Sequence, residues 1–405
     1  MQQGQQLYNV GGVMLPQPFK IRRLGHFGLN LLDMESGLRF YRDLLGFKLS
    51  DELDFSKRAP DKVKGLGDPK GYFMRYGTDH HAFVIFNRRV REALDTQRRF
   101  GPEVTVNQIT WQCGSLGEIV RAYHFFKERG CQIQRVGRDM PGSNWHVYLY
   151  DPDGHTNELY YGIEQVGWQG MSKPLAMYYR GFHDLPPLPQ ISEETEVEEA
   201  RQKGVDIFSG MRAVEQLPCR YDVDGVLLPR PFKITKIGPV KLFVEDVGRA
   251  EAFYGEILGF VRTEEVTYRG HRCLYLRNGT EHHSLVLLPK ALRDLLGLSA
   301  QTTLMGFGLE LASYQQLRDA VRWLKERGVR FTEVPADLSP GIDYQAHVLD
   351  PDGHCLLLYS YMEQVGWDGR PRPKEQRRKL QDPWPETLEP LSDTYVDQTF
   401  QGPWS

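Results

Sequence analysis

The stretch Trp145-His146-Val147-Tyr148-Leu149-Tyr150-Asp151-Pro152-Asp153-Gly154-His155-Thr156-Asn157-Glu158-Leu159-Tyr160-Tyr161 decides how this chain is read. Two runs rich in aromatic and β-branched residues flank Asp-Pro-Asp-Gly, whose proline and glycine supply the backbone angles of a tight turn. The pattern predicts a β-hairpin. Alternation with a period of two puts His146 and Tyr148 on one face of its first strand, and Glu158 on one face of its second. A carboxylate beside an imidazole and a phenol supplies the donors of a metal-site corner, although the same turn also closes ordinary hairpins.

Working outward, the turn occurs twice: Asp151-Pro152-Asp153-Gly154-His155 returns as Asp350-Pro351-Asp352-Gly353-His354. Glu164-Gln165-Val166-Gly167-Trp168 returns as Glu363-Gln364-Val365-Gly366-Trp367, and Gly77-Thr78-Asp79-His80-His81 as Gly279-Thr280-Glu281-His282-His283. Nearer the start, Leu15-Pro16-Gln17-Pro18-Phe19-Lys20-Ile21 and Leu45-Gly46-Phe47 recur at an offset of 213 as Leu228-Pro229-Arg230-Pro231-Phe232-Lys233-Ile234 and Leu258-Gly259-Phe260. An ordered series of this kind marks two homologous modules. The expected division is module one at 8–168, a linker at 169–220, module two at 221–367 and an extended tail at 368–405.

In module one the periodicity predicts a strand over 21–32, a helix over 34–45, a strand over 47–55, and strands over 71–76 and 81–86. The rhythm then repeats, with a strand over 106–113, a helix over 116–129, a strand over 132–138 and the hairpin. Each module is therefore two βαβββ units. The predicted class is α+β, with curved, cavity-enclosing mixed sheets and helices outside. Gly46 and Gly130 stand where a left-handed helix cap is wanted. The polar segment Ser56–Lys70, with Gly65 and Gly67, is a candidate lid. The linker should hold a short solvated helix in its acidic stretch, and the Trp-containing tail should lie over a neighbouring surface or subunit.

Composition sets outer limits. The chain's 405 residues carry 50 Lys plus Arg against 53 Asp plus Glu, a net charge of -3 that gives no pull toward nucleic acid or membrane. No apolar run is long enough to span a bilayer, and the first residues lack a signal pattern. Cys113, Cys131, Cys219, Cys273 and Cys355 are odd in number and widely spaced, as expected of reduced thiols in a cytoplasmic protein.

Together, the four βαβββ units, Phe40-Tyr41…Leu45-Gly46-Phe47, and Asp-Pro-Asp-Gly-His before an acidic strand resemble the vicinal oxygen chelate superfamily, and within it the type I extradiol ring-cleavage dioxygenases. The resemblance implies a metal site in module one. His26, in Leu24-Gly25-His26-Phe27, looks like the first ligand and Glu158 like the third. Tyr148 occupies the place of the substrate-hydroxyl tyrosine, and His81 that of the acid/base histidine. At the second ligand this chain has Gln108 instead of histidine, and Asp139 stands where a supporting histidine is usual. Relatives such as glyoxalase I use a glutamine ligand. An amide oxygen is neutral like imidazole but a poorer partner for iron(II), so metal identity is open between Fe(II), Mn(II) and another divalent ion. His146, sharing a strand face with Tyr148, is a substitute donor. In module two the same frames hold Pro239, Gly306 and Leu357, which cannot bind a metal. That module is expected to be structural.

The implied reaction is opening of the ring of a small catecholic aromatic by O2, with His81 or His146 as acid/base and Tyr148 bonded to a substrate oxygen. Two other classes stay in view: a non-oxidative metal-dependent isomerase, epimerase or lyase, favoured by Gln108, and a binding protein without catalysis, favoured by module two. The plainer alternatives are that Gln108 only hydrogen-bonds across the cavity and that Tyr148 only packs. His80 and His81 recur as His282 and His283, which favours a structural role for at least one of each pair, and His155 is read as structural. A homo-oligomer is expected.

Overall fold

The structure, a computed structural model, describes residues 6–95, 101–138, 142, 144–167, 169–177, 184–185, 188–189 and 191–389. Asp139, Trp168 and the end of the tail lie outside the described residues.

A short hairpin, β1 (Tyr8–Val10) and β2 (Val13–Leu15), leads into β3 (Ile21–Leu31), β4 (Lys48–Asp54), β5 (Lys70–Arg75) and β6 (Phe83–Asn87). The next unit is β7 (Val106–Cys113), β8 (Ile133–Arg138), β9 (Trp145–Tyr150) and β10 (Thr156–Tyr161). The second half repeats this as β11 (Tyr221–Val223), β12 (Val226–Leu228), β13 (Ile234–Val244), β14 (Val261–Tyr268), β15 (His271–Arg277) and β16 (Leu285–Pro289). It ends with β17 (Leu304–Leu311), β18 (Arg330–Thr332), β19 (Gln345–Leu349) and β20 (Cys355–Tyr359). Each half forms one mixed eight-stranded sheet, ordered β4-β5-β6-β3-β7-β10-β9-β8 and β14-β15-β16-β13-β17-β20-β19-β18. At each centre the first strands of the two units run antiparallel, β3 to β7 and β13 to β17.

Helix Leu116–Glu128 starts where the Ser115 side chain accepts from the Glu118 amide, and it buries Ile119, Ala122, Phe125 and Phe126. The helix expected over 34–45 is α-helical only over Met34–Leu38 and then widens to a π-helix over Arg39–Leu44. Its counterpart does the same over Phe253–Ile257. Helical propensity carries no signal for the wider turn. It accommodates two adjacent buried aromatics, Phe40 and Tyr41.

Along β3 the side chains sort by face. Phe27, Leu29 and Leu31 enter a hydrophobic core shared by both halves, and His26 lies on the other side of the sheet. Phe27 stacks on Phe307 with centroids 4.2 Å apart, and Trp111 meets Phe260 edge-on at 4.8 Å. Reciprocal hydrogen bonds cross the same junction. The Tyr254 hydroxyl donates to Asp151 at 2.9 Å, and Tyr41 donates to Asp350 at 2.8 Å. His155 bridges Asp151 (2.8 Å) to Thr303 (2.9 Å), while His354 bridges Asp350 (3.0 Å) to Thr105 (2.9 Å). Each Asp-Pro-Asp-Gly-His turn is thus also a fastener between halves, which its sequence does not reveal.

The linker helix, Glu193–Gln202, is mostly exposed, yet its Glu196 pairs with Arg138 at 2.5 Å and Lys173 at 2.9 Å. The tail up to residue 389 runs over the chain's own second half. Trp384 lies 5.4 Å from the Tyr344 ring, and the Tyr314 hydroxyl donates to the Pro385 carbonyl at 2.7 Å. Segment Ser56–Lys70 is packed down through Val63, which joins Phe55, Phe73, Val84, Phe86 and Val90 in a second apolar cluster. Among the described residues no helix is long and apolar enough to cross a membrane, and all five cysteines are free.

Candidate functional site

The three residues expected to bind a metal come from three neighbouring strands. His26 on β3 is paired with Thr110 on β7, which in turn is paired with Glu158 on β10, and Gly28 is paired with Gln108. Because side chains alternate, His26, Gln108, Thr110 and Glu158 all leave the same face of the sheet. His26 Nε2 stands 3.1 Å from Glu158 Oε2, and Gln108 Nε2 donates to that oxygen at 3.4 Å. Gly28 is needed opposite Gln108, since a Cβ there would lie 2.7 Å from Val84 and 3.2 Å from the Gln108 side chain.

Two further residues hold Glu158 and were not foreseen. Thr110 Oγ1 donates to Oε2 at 2.8 Å, and Asn144 Nδ2 donates to Oε1 at 2.6 Å. Both sit two positions from a residue already singled out, Gln108 and His146, so the period-two rule would have found them. His146 approaches the other carboxylate oxygen, with Nδ1 3.6 Å from Oε1. Tyr148 lies directly across from Glu158 in the sheet, its hydroxyl bonds that carboxylate, and Arg135 covers its ring at 4.3 Å. Tyr160 was also missed. Its ring is 5.2 Å from the His26 ring and its buried hydroxyl has no hydrogen-bond partner among the described residues, whereas its counterpart Tyr359 donates to the Gly238 carbonyl at 2.8 Å.

The electrostatics follow from burial in this company. Burial alone would raise the Glu158 carboxyl, but His26, by charge and hydrogen bond, then His146 and Tyr148 outweigh it and hold it at about 2. Glu158 is therefore an anion in a dry site. His81, whose ring lies 4.3 Å from His26, has its pKa pushed well below the usual imidazole range, by burial first and then by His26 and His80. His80 Nδ1 is 3.1 Å from His81 Nδ1, and its Nε2 is 3.7 Å from Asp51. The second half keeps this arrangement, with His282 2.9 Å from His283 and 3.0 Å from Glu264. The pairing of adjacent histidines therefore serves the fold, and what distinguishes His81 is its contact with His26.

Adjacent ligands of an octahedral ion with bonds of ~2.1 Å stand about 3 Å apart. The His26–Glu158 distance matches that edge, whereas Gln108 turns its amide nitrogen to the carboxylate and would have to rotate that amide to offer its oxygen. Among the described residues no group of three or more His, Cys, Asp or Glu side chains is placed to hold a metal ion. His26 Nδ1 is buried without a partner among the described residues, whereas a metal-bound imidazole usually donates its second N–H. The donor set fits a divalent ion held more loosely than by two histidines and a carboxylate.

The second half fills the corresponding space differently. Lys241 occupies the Gly28 position opposite Gly306, so its side chain covers the space that Gln108 takes up in the first half. Its ammonium donates to Ser339 Oγ at 2.8 Å and the Leu338 carbonyl at 3.2 Å. Phe243, Tyr275, Val286 and Met305 fill the same face with an apolar cluster.

A family model described as the glyoxalase/bleomycin resistance protein/dioxygenase superfamily matches residues 23–159 and 236–357. The chain is 27% identical over 146 residues to metapyrocatechase 2 of Cupriavidus necator, covering 36% of this chain and 38% of that protein. It is 24% identical over 146 residues to 3-methylcatechol 2,3-dioxygenase of Pseudomonas putida F1, covering 35% of this chain and 43% of that protein. The matched stretch thus spans less than half the length of either curated relative. Among solved structures, the 2,3-dioxygenase LapB from Pseudomonas sp. KL28 superposes with a TM-score of 0.55 at 15% identity, over 86% of this chain and 95% of that one. The Mn(II)-bound glyoxalase from Novosphingobium aromaticivorans superposes with a TM-score of 0.53 at 15% identity, over 86% and 85%.

Proposed function

Because the chain belongs to the glyoxalase/bleomycin resistance protein/dioxygenase superfamily, we propose that its first half is the working site of a metal-dependent extradiol-type dioxygenase opening the ring of a small catecholic aromatic with O2. The observation that carries this reading is His26 Nε2 standing 3.1 Å from an oxygen of a buried, ionised Glu158, a distance suited to two ligands of one ion, with the Gln108 side chain on the same face. The second half, with Pro239, Gly306 and Leu357 in those frames, serves as scaffold. The names of the two curated relatives support a catechol as the substrate class.

In this reading His26, Gln108 and Glu158 hold iron(II), or manganese(II) in its place. The ion, when bound, supplies Lewis acidity toward the catechol hydroxyls and a common meeting point for catechol and O2. Glu158 enters as an anion because His26, then His146 and Tyr148, outweigh its burial, and Thr110 and Asn144 also donate to its oxygens. His81 is kept neutral, which leaves a ring nitrogen free of a proton to act as base toward a substrate hydroxyl, although its burial beside His26 and His80 makes that base a weak one. His146 flanks Tyr148 with ring centroids 4.6 Å apart, a second candidate for that role. Tyr148, with Arg135 across its ring, is the group to bond a substrate or product oxygen.

The test is metal analysis of anaerobically purified protein, followed by oxygen uptake and a yellow ring-fission product with a panel of catechols. Stoichiometric metal with catechol-dependent oxygen uptake, both lost in Glu158→Gln, is the expected result. Stoichiometric metal without oxygen uptake overturns the dioxygenase and favours the non-oxidative isomerase, epimerase or lyase that Gln108 suggests. No metal at all removes both enzymes and leaves a binding protein.

A further inference from the structure

The second half has an opening of its own. A groove of about 1010 Å³ runs along its edge strand β18, at the upper end of the ~300–1,000 Å³ typical of pockets that take small organic molecules. Tyr268, Leu295, Leu296, Val334, Leu380 and Trp384 give it apolar walls, two of them with ring faces. Leu295 and Leu380 are still 48% and 45% exposed, so the fold leaves apolar surface uncovered here. Four basic and three acidic side chains also line the groove, so charge favours a ligand of neither sign. Two polar groups of β19, Gln345 and His347, reach the same space from one face of that strand. His347 is only 5% exposed, and its Nε2 has no hydrogen-bond partner among the described residues. The Oε1 of Gln345 is likewise buried and unmet among them. Burial, then Lys241, pushes His347 down to about 3, so its ring is a neutral imidazole with one nitrogen able to accept.

The repeat shows why these atoms are left over. In the first half Tyr148 lies across from Glu158, and His146 across from Tyr160. In the second half His347 lies across from Leu357, and Gln345 across from Tyr359. Leucine offers nothing to bond, and the Tyr359 hydroxyl is spent on the Gly238 carbonyl. A buried hydrogen-bonding group with no partner is costly, and a ligand that donates to it removes that cost. The groove therefore suits a molecule with a flat apolar body and a hydroxyl, not an ion.

We propose that this groove of the second half binds a small hydroxylated aromatic, its ring against the apolar walls and its hydroxyl donating to His347 Nε2 or Gln345 Oε1. No metal takes part. The inference does not depend on the metal site of the first half or on the proposed reaction.

The experiment titrates the full chain with 4-methylphenol and, separately, with 4-methylanisole, which has the same ring but no O–H to donate. Calorimetry and ligand-observed saturation-transfer NMR read the binding. The expected result is a site for the phenol that persists in Glu158→Gln, and an affinity for the ether about three- to tenfold weaker. His347→Leu should weaken the phenol by a similar factor and narrow its advantage over the ether, with circular dichroism confirming that the variant is folded. Gln345 is less buried than His347, so Gln345→Leu supplies the same reading should His347→Leu fail to fold. Three results overturn the proposal: no binding of the phenol, an ether that binds as tightly as the phenol, or folded variants at both positions that bind like the parent. Loss of all binding in Glu158→Gln also overturns it, because the phenol then sits in the first half, whatever that variant does to metal content.

Discussion

His26 and Glu158 stand 132 residues apart in sequence and meet with Nε2 3.1 Å from Oε2, on strands separated by a single intervening strand. That strand carries Gln108, so the character of the site turns on one amide. Replacing Gln108 by histidine puts an imidazole in its place, a better partner for iron(II). Gln108→His should therefore raise the affinity for Fe(II) by at least about tenfold, read by competition with a chelator under anaerobic conditions. Equal retention by parent and variant would falsify the assignment of Gln108 as a ligand.

His81 touches His26 but lies outside the set of donors around Glu158. If it moves protons, His81→Asn should lower turnover by about 10²–10⁴ and leave metal content as in the parent. Steady-state oxygen uptake beside elemental analysis separates the two effects. Loss of metal together with turnover would instead make His81 part of the support for His26, and unchanged turnover would pass the acid/base role to His146.

Much of this was legible because strands and repeats write themselves into sequence. The period-two pattern put His146 and Tyr148 on one face of β9 and Glu158 on one face of β10, and the sheet register then sets Tyr148 directly across from Glu158. The helix over 116–129 announced itself by its apolar spacing and ends within a residue of expectation. Strand β6 begins at Phe83, two residues later than expected, and the His80 amide before it donates to the Glu164 carbonyl at 2.8 Å. What stayed hidden depends on contacts between distant segments. Nothing local to Asp151 or Tyr254 shows that they bond each other across the halves. Thr110 and Asn144 look like ordinary strand residues until Glu158 is placed between them.

The stack of Phe27 on Phe307 joins the halves through a buried ring pair at 4.2 Å. Phe307→Ala removes one ring from a core that both sheets share, and such a cavity costs about 3–5 kcal/mol. In urea denaturation followed by circular dichroism, the midpoint should fall for the whole chain, because each half loses the surface it packs on. A loss below about 1 kcal/mol would mean that the halves relax toward each other, or that the ring contributes little.

The tail gives the last prediction, through Arg377. Its Nη2 donates to Glu264 at 2.6 Å and its Nε to Glu363 at 3.0 Å, tying the segment after Trp367 to β14. Burial alone would raise the Glu264 carboxyl, but hydrogen bonds from His282 and Arg377 outweigh it and bring it down to about 2. A carboxylate whose pKa is lower folded than unfolded stabilises the fold fully above its unfolded value, about 4.3, and loses that contribution as pH falls toward 2. Glu264→Gln removes the titrating group. The parent should exceed the variant in stability by on the order of 2 kcal/mol at pH 6.5, and the gap should close as pH drops from about 4.3 toward 2. Urea midpoints at several pH values read this directly, and faster limited proteolysis near Arg377 in the variant reports whether the tail has been released. A gap that stays constant across that pH range would show that Glu264 acts by packing and not by charge.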